Sequence, residues 1–351
     1  MANRAATLDP NVFAISDLEV LGGKKLPKMY RDYYNEGAMD MISLRDNVAA
    51  FDRYKILPRS LRNVKDIDTS TFFFGHKVTF PLAISPSAMH KLAHPDGELA
   101  TSRAASSMNI GMCLSSYSTT SLEDVKAQGR GNPYMMQMCV VKDRTLTKQL
   151  LDRAKGAGYK ALFLSVDVPV LGRRLNEYRN EFTLPDHLDF PNILSSGLKE
   201  FAEGENSHDY GILMVFFLNP ADVLLAIEHG VDGILVSNHG GRQLDSVPAT
   251  LDCLRECARV ARGRIPIAVD GGIRRGSDIF KALALGAQHC FIGRIAIWGL
   301  AYNGQEGVEL ALKILLDEFR TTMALAGCRT VHEITPEHLT YIGPSGLLCK
   351  L

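Results

Sequence analysis

A chain of 351 residues, 46% hydrophobic and 22% charged, carries enough apolar material for an extended globular core, which excludes a disordered or fibrous polymer. Basic and acidic residues both number 39, so the formal charge is zero; no global field attracts nucleic acid or an anionic membrane, and any anion must be held locally. No apolar run reaches bilayer length, and Met1 to Pro10 lacks the apolar core of a secretory signal.

An N-terminal helical segment of about residues 10–60 comes first. Within it, roughly 15 to 55 read as helix, with apolar positions Leu18, Leu21, Leu26, Met29, Tyr33 and Tyr34 interrupted at Gly22-Gly23. From there the chain repeats a short apolar strand, a polar or glycine turn and an amphipathic stretch. The strand candidates are Pro81–Ser85, Gly111–Ser115, Met135–Cys139, Ala161–Val166, Ile212–Phe217, Gly233–Val236, Ile265–Val269 and Cys290–Ile292. Helical spacing falls at Gly97–Met108, Leu146–Ala157, Pro220–His229, Ala249–Ala261 and Ser277–Leu285. Eight nearly continuous apolar strands alternating with helices suit a TIM (β/α)8 barrel, although a doubly wound open sheet alternates in the same way.

Polar residues follow these strands repeatedly: Ser87, Ser115-Ser116, Gln137, Asp167, Ser237-Asn238-His239, Asp270-Gly271-Gly272 and Gly293-Arg294. Any one is a plausible turn former, but together they mark the face where barrel enzymes build their sites. The run Asp270-Gly271-Gly272-Ile273-Arg274 and the later Gly293-Arg294 read as glycine turns that open helices. Such turns present backbone N–H groups and cationic side chains to a phosphate, or else simply shape tight βα connections.

His239 follows a strand among Gly240, Gly241 and Arg242. Imidazole takes protons near neutrality, and a guanidinium forks onto a carboxylate, so the pair suits deprotonation of a hydroxyl beside a carboxylate. A structural histidine packed at a turn would carry the same run. The seven cysteines are scattered without zinc-site spacing; Cys253 and Cys257 read as neighbouring thiols on a helix, and no metal is expected.

Ser237 to Asp245 closely resembles the signature of the FMN-dependent 2-hydroxy-acid oxidases and dehydrogenases, the family of glycolate oxidase and lactate-oxidising flavoenzymes. Tyr33-Tyr34-Asn35-Glu36-Gly37-Ala38, Ser85-Pro86-Ser87-Ala88-Met89, Val166-Asp167-Val168-Pro169 and Leu171-Gly172-Arg173-Arg174 extend the match from about Leu26 to the C-terminus. The resemblance implies one barrel domain over residues 1–351, FMN as cofactor and oxidation of small (S)-2-hydroxy acids to 2-oxo acids. It implies His239 as the base that takes the hydroxyl proton, and Arg242 and Arg174 as the carboxylate clamp, with Tyr33 adding a hydroxyl. Pro86, Ser87 and Ala88 would lie against the flavin ring, with Ser115, Gln137, Ser165 and Ser237 as polar contacts. Asp270, Gly271, Gly272, Ile273, Arg274, Gly293 and Arg294 would hold the ribityl chain and phosphate. The family is often tetrameric, and Trp298 with Tyr302 would sit at a subunit contact or be buried within the chain.

The sequence departs from that pattern twice. Cys139 stands where the family commonly has a substrate-touching tyrosine, so it either contacts substrate or fills space. From Pro185 to Tyr210 the chain is short and polar, with at most a brief helix near Leu198–Ala202. Val215 in Gly211–Phe217 stands where a lysine facing the flavin is expected, so the fourth βα unit reads as shortened. Oxygen as acceptor, giving hydrogen peroxide, fits the ending Cys349-Lys350-Leu351, one small residue away from the peroxisomal Ser-Lys-Leu. The competing expectations are a flavin-binding or structural paralogue with impaired catalysis and another phosphate-binding barrel enzyme such as an isomerase. That last reading leaves His239 and Arg242 unused.

Overall fold

The computed structural model describes residues 7–139, 144–194, 219–342 and 348–350. Seven of the expected strands form within them: β1 (Leu82–Ile84), β2 (Gly111–Leu114), β3 (Tyr134–Met138), β4 (Ala161–Leu164), β5 (Ile234–Val236), β6 (Ile267–Val269) and β7 (His289–Ile292). All pair in parallel, in the order β4-β3-β2-β1-β7-β6-β5. The first strand lies beside the last, with Cys290 opposite Leu82 and Ile292 opposite Ile84. That seam curls the sheet back on itself, which a doubly wound open sheet does not do; the fold is an α/β TIM barrel. Among the described residues β4 and β5 are its two edges. The expected strand Ile212–Phe217, with Val215, and the brief helix near Leu198–Ala202 lie outside the described residues.

Helices Gly97–Ser107, Arg144–Gly156, Pro220–Glu228, Thr250–Ala261 and Gly276–Ala284 occupy the stretches with helical spacing. The third begins where its chemistry dictates: Asn219 accepts from the Ala221 N–H, and Pro220 fills the first helical turn. A hairpin, Thr71–Phe73 with His76–Val78, carries Phe73 and Val78 into the cluster formed by Ala83, Cys113, Met135, Leu235 and Phe291.

The N-terminal helical reading needs two corrections. Three helices form, α1 (Ile15–Lys25), α2 (Lys28–Asn35) and α3 (Ile42–Arg53), and α1 runs through Gly22-Gly23 without a break. Gly22 is there for contact, since a Cβ on it would lie 2.3 Å from the Trp298 carbonyl oxygen. Helix also stops at Arg53, because Tyr54–Ile56 pairs antiparallel with Leu339–Ile342, which in turn pairs with Leu348–Lys350. A long helix, Arg294–Ala326, broken at Asn303-Gly304, was not expected from spacing. It buries Trp298 completely, and the indole N–H donates to Asn35 at 2.7 Å, so burial within the chain accounts for Trp298. No disulfide joins any of the seven cysteines. Among the described residues no helix is long and apolar enough to cross a membrane, and no cluster of His, Cys, Asp or Glu suits a metal ion.

Candidate active site

The loops after β4 and before the helix Thr250–Ala261 interlock at the C-terminal ends of the strands. In the second loop, His239, Gly240 and Gly241 all adopt left-handed backbone, with φ of 57°, 60° and 77°. For His239 that conformation costs on the order of 1 kcal/mol, so neighbours must hold it. Asn238 does so by accepting from the Gly241 N–H at 3.1 Å, and is itself locked by reciprocal amide bonds of 2.7 and 2.8 Å to Asn47 of α3. A Cβ on Gly241 would sit 2.7 Å from backbone atoms of Leu44, so only glycine lets α3 approach.

Asp167, just beyond β4, meets His239 across this junction, with Oδ2 3.0 Å from Nδ1. A carboxylate accepts, so this contact suits the tautomer with its proton on Nδ1, in which Nε2 is the acceptor. The imidazole remains 32% exposed while Asp167 is 16% exposed, so the ring is open to a solute and its partner is sheltered. Sequence reasoning placed Asp167 at a strand end without assigning it this partner.

Gln243 ties the two loops together. Its amide donates to the carbonyls of Asp167 and Val170 at 2.9 and 3.0 Å, and its oxygen accepts from the Gly172 N–H at 3.0 Å. Arg174 Nε donates to the Arg242 carbonyl at 3.2 Å. The two guanidiniums thus converge, and both donate to Glu177 Oε1, at 3.3 Å from Arg174 and 3.1 Å from Arg242. Arg242 also donates to the carbonyls of Tyr33 and Glu36, and lies 4.7 Å over the Tyr33 ring, which stacks on Phe182. Burial, then the Arg174 charge, push the Arg242 guanidinium down to about 10, which still leaves it cationic at neutral pH. Glu177 carried no sequence signal.

On the neighbouring strands, Gln137 donates to Ser165 Oγ at 3.0 Å and accepts from the Ser116 N–H at 3.2 Å. Cys139 lies 3.7 Å from the Gln137 amide nitrogen, and burial, then the Asp167 charge, push its thiol up to about 11. Ser237 Oγ accepts from the His239 N–H, and Ser115 Oγ accepts from the Tyr117 N–H. Pro86, Ser87 and Ala88 follow β1, and a Cβ on Gly293 would lie 3.3 Å from Ser87 Oγ.

The glycine turn after β6 packs closely against α3. Gly271 and Gly272 have φ of 88° and 85°, and a Cβ on Gly272 would overlap the Asn47 carbonyl oxygen at 1.9 Å. Arg274 beyond Ile273 lies 4.8 Å over the Trp298 ring, and burial lowers its pKa. Arg294 donates to the carbonyls of Tyr34, Gly240 and Glu36 at 2.8 to 3.0 Å. Burial, then repulsion from Arg242 and Arg274, push it well below its ordinary range. Asp270 is pushed up to about 6 by burial, against the Ser237 hydroxyl and His239. Ser85 Oγ, Asp167 Oδ1 and Asp270 Oδ1 are buried without a protein partner. Unpaired acceptors and hydroxyls beside buried cations call for a ligand with both hydroxyls and negative charge.

The chain matches the model of the FMN-dependent dehydrogenases over residues 23–209 and 211–341. It is 49% identical to the oxidase FUB9 of Fusarium oxysporum f. sp. lycopersici, covering 98% of this chain and 95% of that protein. That alignment spans 368 positions, more than the 351 residues present here, so the relative carries residues this chain lacks. Identity to 2-hydroxyacid oxidase 1 of Homo sapiens is 43%, over 93% of this chain and 95% of that one. A crystal structure of mandelate oxidase with (S)-2-phenylpropionate, 35% identical, superimposes with a TM-score of 0.85 over 93% of this chain and 98% of that chain.

Proposed function

The chain belongs to the FMN-dependent dehydrogenase family, and from that premise we propose that it oxidises small (S)-2-hydroxy acids to 2-oxo acids, with oxygen as the final acceptor and hydrogen peroxide as the second product. The observation that carries this reading is the His239–Asp167 pair set beside the convergent guanidiniums of Arg174 and Arg242. A base beside a carboxylate clamp suits a molecule whose hydroxyl and carboxylate share one carbon.

The residues present fit FMN. The Gly271-Gly272 turn with Arg274 and Arg294 would hold its phosphate, Asp270 would accept from ribityl hydroxyls, and Ser85, Gln137, Ser165 and Ser237 would supply polar contacts to the ring. Bound there, FMN supplies the two-electron acceptor, which no side chain offers. The chain's own contribution is orientation and proton handling. Arg174 and Arg242 fix the carboxylate, Tyr33 shapes the Arg242 face, and His239 Nε2 takes the hydroxyl proton. Asp167 then stabilises the imidazolium. Hydroxy acid and oxygen leave as oxo acid and peroxide, which balances atoms and electrons.

Anaerobic addition of glycolate, lactate or a longer 2-hydroxy acid to the FMN-loaded protein should bleach the flavin absorbance. Loaded protein that no hydroxy acid bleaches would sink the proposal. It would favour a second reading, a flavin-binding paralogue with impaired catalysis, which rests on the absence of lysine from Gly211–Phe217. Preorganised charge at a developing anion is worth roughly 10²-fold or more in rate. Val215→Lys should therefore accelerate anaerobic flavin reduction by about that factor if the impaired reading holds, and change it little if the native site is competent.

A further inference from the structure

Glu177 occupies a place in this site that clamping a substrate does not require. The short helix Leu175–Arg179 that bears it is pinned to α2: Asn180 donates to Asp32 at 2.9 Å, Lys28 donates to Asn180 at 2.8 Å, and Asn176 donates to Glu36. Its carboxylate is therefore delivered to Arg174 and Arg242 by a fixed element. Arg174 and Glu177 sit three residues apart, so this pairing is local and costs little chain entropy. The three side chains are largely sheltered, at 10%, 13% and 20% exposed for Arg174, Arg242 and Glu177. Charge left uncompensated here is weakly screened.

Two guanidiniums and one carboxylate sum to a single positive charge. The other charges coupled to Arg242 are opposite in sign and offset one another: Arg294, which Arg242 and Arg174 repel, and the Glu36 carboxylate, which Arg242 attracts; Asp167 faces His239. Arg173 and Arg179 are exposed. Among the described residues nothing accepts from Nε of Arg242, so donors remain for one more carboxylate.

We propose that Glu177 sets the charge selectivity of the site, leaving the two-arginine clamp with one positive charge matched to 2-hydroxy monocarboxylic acids and poorly matched to dicarboxylic ones. The inference rests on the reading of Arg174 and Arg242 as a carboxylate clamp. Removing the Glu177 charge leaves two cations facing the ligand, which favours a dianion over a monoanion of the same shape.

Oxamate and oxalate form such a pair, nearly isosteric and differing by one charge. Their dissociation constants are to be measured by calorimetry on the FMN-loaded full-length protein and on E177Q and E177D. The expected result is a shift of the oxalate-to-oxamate affinity ratio toward oxalate by about tenfold in E177Q, with the wild-type ratio kept in E177D. The matching activity readout is a rise in kcat/KM for malate relative to lactate in E177Q. An unchanged ratio in E177Q overturns the proposal, as does an equal shift in E177D, which would make geometry rather than charge the cause. If the wild-type protein binds neither anion, the clamp reading and this inference both fail. If it binds both with the expected shift but no hydroxy acid reduces its flavin, the oxidase reading fails and the charge assignment stands.

Discussion

His239→Gln is expected to slow anaerobic flavin reduction by hydroxy acid by roughly 10²- to 10⁴-fold while leaving FMN bound. Glutamine keeps a side-chain amide in the loop but has no group that takes a proton near neutrality. The loop itself is held by Asn238 and Asn47, not by the imidazole, so the scaffold should survive the change. Asp167→Asn should slow the same step less, because it removes the charge behind the imidazolium and leaves the base. Since the two residues are 3.0 Å apart and act as a unit, the double variant should be little slower than His239→Gln alone. Stopped-flow absorbance under anaerobic conditions measures all three. His239→Gln within threefold of wild type would place the base elsewhere.

The barrel was legible because most of its described strands are buried on both faces, and buried strands read as short unbroken apolar runs; β4, with Leu162 exposed, is the exception. The helix Arg294–Ala326 was missed for the same physical reason, working against the reader. Residues 295–301 are all buried, so no polar face marks a helical period. Gly22-Gly23 misled because close approach and chain reversal both select glycine, and only the position of Trp298 distinguishes them. At the site, His239, Arg242 and the glycine turn stood out through local composition. The pairing of Asp167 with His239, Asn47 with Asn238 and Glu177 with Arg242 did not, since these partners lie 72, 191 and 65 residues apart and meet only when distant segments are brought together. Contacts of that kind leave no periodic or compositional trace.

Asp270→Asn should move stability and cofactor affinity in opposite directions. In the folded chain the Asp270 carboxyl is raised to about 6 from an ordinary 3.8, chiefly by burial. Between those two values the folded state keeps a proton that the unfolded state has lost, so stability of the flavin-free protein falls as pH rises from about 4 to 6. Above that it stays reduced, by up to about 3 kcal/mol. Asparagine is uncharged at every pH, so the variant apoprotein should melt higher at pH 7.5 and lose most of the pH dependence between 4 and 6. FMN should bind it roughly tenfold more weakly, because the buried Oδ1 that lacks a protein partner no longer carries charge to accept a ribityl hydroxyl. Thermal melts across pH 4 to 8 and a fluorescence titration with FMN separate the two effects. A variant that melts lower at pH 7.5 and binds FMN as tightly as wild type would show that Asp270 is a structural acceptor. The opposed shifts would identify a carboxylate kept buried at a cost in stability because the cofactor needs it.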